Sequence, residues 1–360
     1  MVDMPFGVSR LDSMLDGGVP TGSVVLLATE PGAGGRKFAH TSAAINALAT
    51  TNNAAFEHHY RGIDHEGVIV PASVHYLSVA ATADSLEATL TETVSSEIAA
   101  QATDGITHHD LSETYFEATD VPEAWYQHDD PASTLPGVDT VEEIDATDPF
   151  EYAEDVGAIT DDSEGEGEGE GKGKGEGEGE SEGRPDAADG EREGIPEAAN
   201  SDAETAGDTA AMTDTEGHNA TDTPGILSAL RASLDDTVGG SLVVIDAITD
   251  LDDLPEETVS WDAVVRLLRG LTRLVTARGG LVLVVADAEA VTDPQLGSLS
   301  AAATGTLSFA WETGGSQRAR LLSIRELPSA LDRLDRDEIA AFESELHDRG
   351  YDLSNVRKIH

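Results

Sequence analysis

The chain has 360 residues, of which 70 are acidic and 21 are basic, giving a formal net charge of −49. It contains no cysteine, which excludes disulfides and cysteine metal sites. Its first residues lack the basic region and apolar core of a secretory signal, and no apolar run is long enough to cross a bilayer. We therefore expect a cytoplasmic protein without a membrane anchor.

The acidic surplus is spread over the chain, including segments predicted to fold, such as residues 251–257. Such a surface keeps a protein soluble where salt screens charges at short range. The composition favours a protein from a salt-rich cytosol, and a locally acidic protein from an ordinary cell is the alternative. Lysine is scarce and occurs only at Lys37, Lys172, Lys174 and Lys358.

The first strongly patterned stretch predicts a strand, a glycine-rich loop and a helix. Residues 24–28 form an apolar run typical of a buried strand, and the alanine-rich residues 38–49 favour a helix. In such a unit, backbone N–H groups and the positive helix end meet an anion. The candidate nucleotide-binding residues are Pro31, Gly32, Ala33, Gly34, Gly35, Arg36 and Lys37.

This loop departs from the phosphate-loop pattern Gly-x-x-x-x-Gly-Lys-Ser/Thr. With Gly34 as the last glycine, Gly35 stands at the lysine position, Arg36 at the Ser/Thr position and Thr29 at the first glycine. Taking Lys37 as the lysine fails, because other residues would then fill both glycine positions. The sequence predicts a degenerate site, which lacks the lysine that neutralises phosphate charge and the hydroxyl that holds Mg²⁺.

The next segments predict a loop, a second strand and a long helix. Residues 52–70 are irregular, whereas residues 74–79 read as a buried strand. We expect Asp84 to cap a helix over residues 85–100, where apolar residues recur at helical spacing.

Residues 101–223 predict an acidic, low-complexity and largely disordered insertion. Residues 104–130 retain aromatic side chains, as in a small folded insertion or a docking segment. The Glu-Gly tract at residues 164–183 combines the ordering entropy of glycine with like-charge repulsion. We interpret the segment as a solvated insertion; an acidic tail that mimics nucleic acid or binds basic partners is the alternative.

Ordered structure is predicted again from residue 226. A short helix over residues 226–234 precedes an apolar strand over residues 242–245 that ends in Asp246. A carboxylate at the end of a buried strand is a Walker B pattern and can hold Mg²⁺ through water, so Asp246 is the candidate metal residue. A helix-capping or solvated aspartate is the alternative. Residues 281–285 predict a further buried strand.

Residues 261–277 predict the clearest helix, with an apolar stripe and a row of arginines mostly beside it. We expect salt bridges from these arginines to acidic neighbours, with a contact to nucleic acid or another subunit as the alternative. The row comprises Arg266, Arg269, Arg273 and Arg278.

The chain ends in a predicted hairpin and a predicted helical tail. Residues 307–311 and 320–324 flank two glycines, as in a hairpin. Residues 333–350 carry apolar side chains at helical spacing and predict an acidic amphipathic helix; these side chains are Ile339, Phe342 and Leu346.

The alternation of buried strands and helices predicts an α/β fold, a three-layer sandwich on a mostly parallel sheet. Residues 1–100 and 224–327 would form the two halves of this domain. The acidic insertion at residues 101–223 separates them, and a helical tail at residues 328–360 follows.

Residues 6–23 resemble the opening segment of the KaiC/RadA branch of the RecA-like ATPases, which precedes the phosphate-loop strand. Residues 246–251 are similar to the same branch. The resemblance covers residues 5–100 and 226–327, and implies a divergent, haloarchaeal-type member with a RecA-like sandwich and a site for ATP and Mg²⁺. The matching residues of the opening segment are Gly7, Leu11, Asp12, Leu15, Gly17, Gly18, Pro20 and Gly22.

The resemblance also implies catalytic groups that this sequence lacks. The family's second strand ends in one or two glutamates that orient the attacking water, where Ala80 and Ala81 stand here; misalignment by one or two residues is the alternative. Many members carry a Lys-x-Arg pair after the hairpin that reaches a neighbouring subunit's phosphate. The matching residues, Arg325 to Leu327, keep at most one cation.

We therefore predict a RecA/KaiC-like regulatory or scaffolding protein whose site, if it binds ATP, does not hydrolyse it efficiently. One alternative is an active ATPase that uses Arg36 and Lys37 in place of the motif lysine. Another is a DNA recombination accessory, disfavoured because residues 279–317 contain no Lys or Arg. We expect protein partners or self-association, and no direct contact with nucleic acid or a membrane.

Overall fold

A computed structural model of the protein describes residues 2–60, 67–127, 225–312, 319–327 and 341–357. The Glu-Gly tract, most of the predicted insertion and the first part of the predicted tail helix lie outside these ranges. None of the helices in the described ranges is long and apolar enough to cross a bilayer.

The strands and helices follow one another along the whole described chain. The strands are β1 Asp3–Met4, β2 Val19–Pro20, β3 Ser23–Thr29, β4 Val74–Ser78, β5 Ile106–Asp110, β6 Leu242–Asp246, β7 Leu281–Asp287, β8 Gly305–Trp311, β9 Arg320–Glu326, β10 Ala341–His347 and β11 Gly350–Arg357. The helices are α1 Ser9–Met14, α2 Gly35–Thr51, α3 Asn53–His59, α4 Ala83–Thr93, α5 Ser96–Thr103, α6 Ser112–Glu117, α7 Ile226–Thr237, α8 Trp261–Arg278 and α9 Asp293–Ser300. Two short 3₁₀ helices span Glu123–Trp125 and Ile248–Asp253.

Nine of the strands form one sheet, in the order β11-β10-β9-β8-β3-β7-β6-β4-β5. Neighbours from β8 to β5 are parallel, and β9, β10 and β11 continue the sheet with antiparallel pairing. The predicted α/β class on a mostly parallel sheet is confirmed. Because parallel strands end at the same edge, the carboxyl ends of β3, β4 and β6 lie together, which is where α/β proteins place ligands.

Helices cover both faces of the sheet, which makes the predicted three layers. Along β3, Val25 and Leu27 pack into the core beneath α2, α4 and α5, whereas Val24 and Leu26 pack into the core beneath α7, α8 and α9. This two-sided burial explains why the strand reads as an uninterrupted apolar run rather than an alternating one.

The insertion was predicted to begin at residue 101, but regular secondary structure continues beyond that point. Residues 106–110 form β5, the edge strand beside β4, and α6 follows it. The strand sequence Ile-Thr-His-His-Asp is polar, because an edge strand needs few apolar residues and protects its free edge better with polar ones. The folded part of the chain therefore continues beyond residue 100, to Gln127 at least.

The predicted helical tail is wrong where the structure describes it. Residues 341–347 and 350–357 form the antiparallel strands β10 and β11, and β10 pairs with β9. The helical spacing of Phe342 and Leu346 is outweighed by backbone pairing to the open edge of β9, a non-local interaction that periodicity does not detect. Gly350, at φ 102°, begins the second strand of this terminal hairpin.

Three further local predictions are wrong. The irregular segment contains α3, whose Asn52 side chain accepts a hydrogen bond from Ala55 N at 3.2 Å and caps the helix. The single helix predicted over residues 85–100 is two helices, because Ser95 starts the second by accepting from Ile98 N at 3.4 Å. Asp84 lies within the first turn of α4 and is not its cap.

The segment of residues 6–23 is held in place by the buried side chain of Asp12. The buried carboxylate accepts hydrogen bonds from Phe6 N at 2.8 Å, Gly7 N at 3.0 Å and the Tyr60 hydroxyl at 2.8 Å. Burial raises the pKa of Asp12 from 3.8 to about 7, although these donors oppose the shift. A left-handed Gly18 at φ 126° then allows β2 to approach β1, since a Cβ there would lie 2.1 Å from Met4 O.

The buried ring of Tyr351 should be a large contributor to stability. It packs against Phe38 and Phe309 with ring centroids 5.6 and 5.9 Å away. We expect Tyr351→Ala to lower the free energy of unfolding by about 3–5 kcal/mol in denaturant titrations. Trp125→Ala is the control, because this side chain is 75% exposed and its loss should change stability by less than about 0.5 kcal/mol. Equal effects of the two substitutions would contradict the packing.

Asp12 should make stability depend on pH. Its raised pKa means that the folded state retains a proton that the unfolded chain releases, so its contribution is full below about pH 4 and is lost as the pH rises through about 7. We expect the stability difference between wild type and Asp12→Asn to shrink over that range in denaturant titrations. A difference that stays constant with pH would contradict the burial of the Asp12 carboxyl group.

Candidate functional site

The glycine-rich loop joins the end of β3 to the start of α2. Gly32 and Gly34 adopt left-handed φ values of 72° and 112°, which favour glycine. The 17-residue helix α2 begins at Gly35, and its first N–H groups have no intrahelical acceptor. The loop thus has the shape and the helix end of an anion cradle.

Two departures from the phosphate-loop pattern depend on each other. A Cβ at Gly35 would lie 2.6 Å from Thr29 Cβ and 2.8 Å from Thr29 Oγ1, closer than side chains pack. Thr29 Oγ1 also accepts a hydrogen bond from Gly35 N at 3.3 Å. A threonine at the first glycine position therefore requires a glycine at the lysine position.

The β8–β9 hairpin holds the outer side of the loop. Trp311 Nε1 donates to Pro31 O, and Arg320 Nε donates to Gly32 O, both at 3.0 Å. The Arg320 guanidinium lies 5.0 Å from the centre of the Trp311 ring, within the range of a cation–π interaction. The loop conformation is thus fixed from outside by side chains that the sequence did not single out.

Asp246, at the end of β6, is occupied by two donors of the chain itself. Arg36 Nε donates to Oδ1 at 2.8 Å, and the Tyr76 hydroxyl donates to Oδ2 at 2.7 Å. The Asp246 side chain is 13% exposed and that of Arg36 is 47% exposed. Such a charge-assisted hydrogen bond to a largely buried carboxylate is stronger than a surface ion pair.

The electrostatics keep both donors in their donating forms. Burial lowers the pKa of Arg36, but the Asp246 carboxylate outweighs it and raises the pKa above its ordinary value. Burial and the same carboxylate raise the pKa of Tyr76 well above its ordinary value. Arg36 therefore stays charged and Tyr76 stays protonated throughout the accessible pH range.

Two other titratable groups line the same site. His40 Nε2 lies 4.0 Å from Asp246 Oδ2, but burial lowers the pKa of His40 to about 4, so the contact is not an ion pair at neutral pH. Burial raises the pKa of Asp250 to about 6. Neither residue was singled out from the sequence, although His40 follows Arg36 by four positions and so lies on the same side of α2.

These groups line a cavity of about 310 Å³. Ser78, at the end of β4, is in register with Asp246. Ala80 and Ala81, which follow β4 after a bend, line the same cavity as Asp246 with their methyl groups, whereas the resemblance implies glutamates at these positions. Besides Asp246, the carboxylate in the lining is that of Asp250.

The remaining predicted residues lie apart from this cavity. Lys37 turns with α2, and its carbonyl oxygen accepts from Thr41 Oγ1 at 2.8 Å. Arg325, the one cation retained from the implied pair, lines a different cavity between β8 and α9. Of the cations predicted to bind a nucleotide, Arg36 is the one paired to Asp246 in the structure.

The residues present fit ATP and Mg²⁺ unequally. The loop and the start of α2 fit a phosphate group by shape and by the first N–H groups of α2, which have no intrahelical acceptor, although the Gly35 N–H donates to Thr29 Oγ1. Mg²⁺ does not fit, because Arg36 replaces the hydroxyl ligand and both Asp246 oxygens already accept hydrogen bonds. Within the described ranges, no group of three or more His, Asp or Glu side chains could hold a metal ion.

The arginine row on α8 is exposed, and its predicted salt bridges are found in part. Arg278 Nη2 lies 2.8 Å from Asp235 Oδ1. For Arg266, Arg269 and Arg273, no acidic partner lies within 4.0 Å among the described residues. The row is therefore mostly solvated, since the expected neutralisation by neighbouring acids is limited to its last member.

Comparisons with known proteins returned matches to solved structures. The crystal structure of the KaiC-like protein PH0186 from Pyrococcus horikoshii OT3 aligns with 12% identity and a TM-score of 0.47, covering 98% of both chains. That of the flagellar accessory protein FlaH from Methanocaldococcus jannaschii aligns with 11% identity and a TM-score of 0.44, covering 96% of both.

No protein-family model matches the sequence. A search of curated proteins gave no match.

The dependence of Gly35 on Thr29 can be measured in a double-mutant cycle. We expect Gly35→Ala to lower the free energy of unfolding by about 1–3 kcal/mol, because its Cβ overlaps Thr29. In a Thr29→Gly background most of this loss should disappear. Gly270→Ala, in a helix with open space around the added Cβ, should stabilise by about 0.5–1 kcal/mol. Additive effects of Thr29→Gly and Gly35→Ala would contradict the coupling.

Proposed function

We propose that the chain is a RecA/KaiC-like regulatory or scaffolding protein whose degenerate site holds a nucleotide without hydrolysing it efficiently. The observation that carries this proposal is the Arg36–Asp246 pair, which neutralises the carboxylate that would support a metal in phosphoryl transfer. Such transfer relies on charge neutralisation and positioning, and the residues that provide both have been replaced.

Two further features support slow or no hydrolysis. The methyl groups of Ala80 and Ala81 line the cavity beside Asp246 and cannot accept a proton from water. The lysine position is closed to any side chain by Thr29. Each feature removes a different requirement of the reaction. Ala80 and Ala81 provide no general base, the Arg36–Asp246 pair blocks the metal site, and Thr29 excludes a lysine that would neutralise phosphate charge.

The alternative of an active ATPase depends on Arg36 and Lys37 reaching the phosphates. Arg36 is paired to Asp246 at 2.8 Å, which leaves Lys37 to supply the charge. The DNA-binding alternative is disfavoured by the net charge of −49 and the lack of cations in residues 279–317. The partners that fit the proposal are proteins or further copies of the chain.

Nucleotide binding and turnover can be measured on the full chain in molar KCl with Mg²⁺. We expect calorimetric heat with ATP, and no phosphate release above that of Asp246→Ala. Arg36→Ala should weaken ATP binding about tenfold, because it leaves an unpaired carboxylate beside the loop. The double variant Arg36→Ala/Asp246→Ala also removes the repelling carboxylate and should bind ATP more tightly than Arg36→Ala alone.

Three outcomes would contradict the proposal in different ways. Phosphate release that Asp246→Ala abolishes would support the active ATPase. If ATP, ADP and GTP all give no binding heat, the site does not bind a nucleotide and the protein acts only as a scaffold. A filter-binding signal with DNA that falls steeply with salt would favour the recombination accessory.

A further inference from the structure

We infer that the Arg36 guanidinium takes the place of the divalent metal, so that this site binds its phosphate ligand as a metal-free anion. The inference rests on the proposed nucleotide site and specifies its ligand: a nucleoside phosphate or polyphosphate without Mg²⁺. It concerns this chain's own residues at positions 36 and 246.

The positions of the two partners carry the argument. In phosphate-loop ATPases the Ser/Thr after the lysine and the aspartate that ends the Walker B strand both hold Mg²⁺. Arg36 occupies the first of these positions and Asp246 the second. The Arg36 side chain itself reaches Asp246, with Nε at 2.8 Å from Oδ1. A cation is therefore present between the two positions and is covalently part of the chain.

The surroundings of Asp246 also oppose a metal. Mg²⁺ requires near-octahedral oxygen coordination and usually retains several waters. One Asp246 oxygen accepts from Arg36 and the other from Tyr76, and the carboxylate is 13% exposed. To bind Asp246, a divalent ion would have to displace the Arg36 guanidinium. It would also lack a hydroxyl ligand, because position 36 holds an arginine and not a serine or threonine.

The consequence for the ligand is a smaller neutralising charge. A guanidinium supplies one positive charge where Mg²⁺ supplies two, and its five donors suit phosphate oxygens as well as carboxylates. The N–H groups at the start of α2 add a partial positive charge at the same loop. Binding should therefore be insensitive to chelators, which is the property that separates this site from a metal-dependent one.

The test uses the full chain without nucleotide and Mn²⁺ as the probe, since carboxylate sites that suit Mg²⁺ also suit Mn²⁺. Mn²⁺ binding is followed by electron paramagnetic resonance in molar KCl, which screens weak binding to the acidic surface. We expect wild type and Asp246→Asn to give the same binding curve. Arg36→Ser should gain one site, and Arg36→Ser/Asp246→Asn should lose it again.

Lys37→Ser is the matched control. It removes the same charge from the next residue of α2, yet leaves the Arg36–Asp246 pair intact, and should gain no site. A wild-type Mn²⁺ site that disappears in Asp246→Asn would overturn the inference. So would an Arg36→Ser chain that folds with a wild-type circular dichroism spectrum and gains no site. Should that variant fail to fold, the comparison of wild type with Asp246→Asn still decides.

A second measurement separates this inference from the proposed function. ATP affinity of the wild type should differ by less than about threefold between Mg²⁺ and EDTA, whereas Arg36→Ser should bind ATP about tenfold more tightly with Mg²⁺. ATP binding that requires Mg²⁺ in the wild type would overturn the inference and keep the nucleotide site. Absence of ATP binding under both conditions would contradict the nucleotide site, while the Mn²⁺ curves would still test the role of Arg36.

Discussion

The ion pair between Arg36 and Asp246 is the interaction on which the character of this site depends. It joins the first turn of α2 to the end of β6, two strands away from β3 in the sheet. The sheet order determines that these two side chains meet, because β3, β7 and β6 are parallel and end at one edge. A site formed around this pair has its positive charge fixed in place, whereas a metal site would receive it from solution.

The loop that precedes Arg36 is adapted to the same arrangement. Thr29 closes the lysine position and accepts the Gly35 N–H, so the start of α2 is stabilised from within the loop. Trp311 and Arg320 hold the loop carbonyls from the hairpin side. Contacts from within the loop and from the hairpin therefore hold the loop and the start of α2 in place.

The elements of the parallel sheet could be predicted from sequence because their strands are buried on both faces and read as apolar runs. The glycine-rich loop and the aspartate that ends β6 could also be recognised in the sequence. The pairing of Arg36 with Asp246 could not be predicted, because it depends on which strands are neighbours in the sheet. The sequence alone predicted that Arg36 would bind phosphate. The predicted helical tail is wrong for a related reason. Phe342 and Leu346 fit a helical period, but Phe342 pairs with Leu322 of β9 and Leu346 pairs with Tyr351 of β11.

The hairpin of β10 and β11 affects how the chain folds during its synthesis. Tyr351 N donates to Thr41 Oγ1, 310 positions away, and Arg10 Nη1 donates to Leu353 O across 343 positions. The aromatic ring of Tyr351 completes the packing around Phe38, at the start of α2. The N-terminal segment and α2 therefore lack part of their core until residues 351–353 have been synthesised. Contacts between residues so far apart in sequence slow folding. A chain truncated before residue 341 lacks the hairpin and would leave these apolar surfaces exposed.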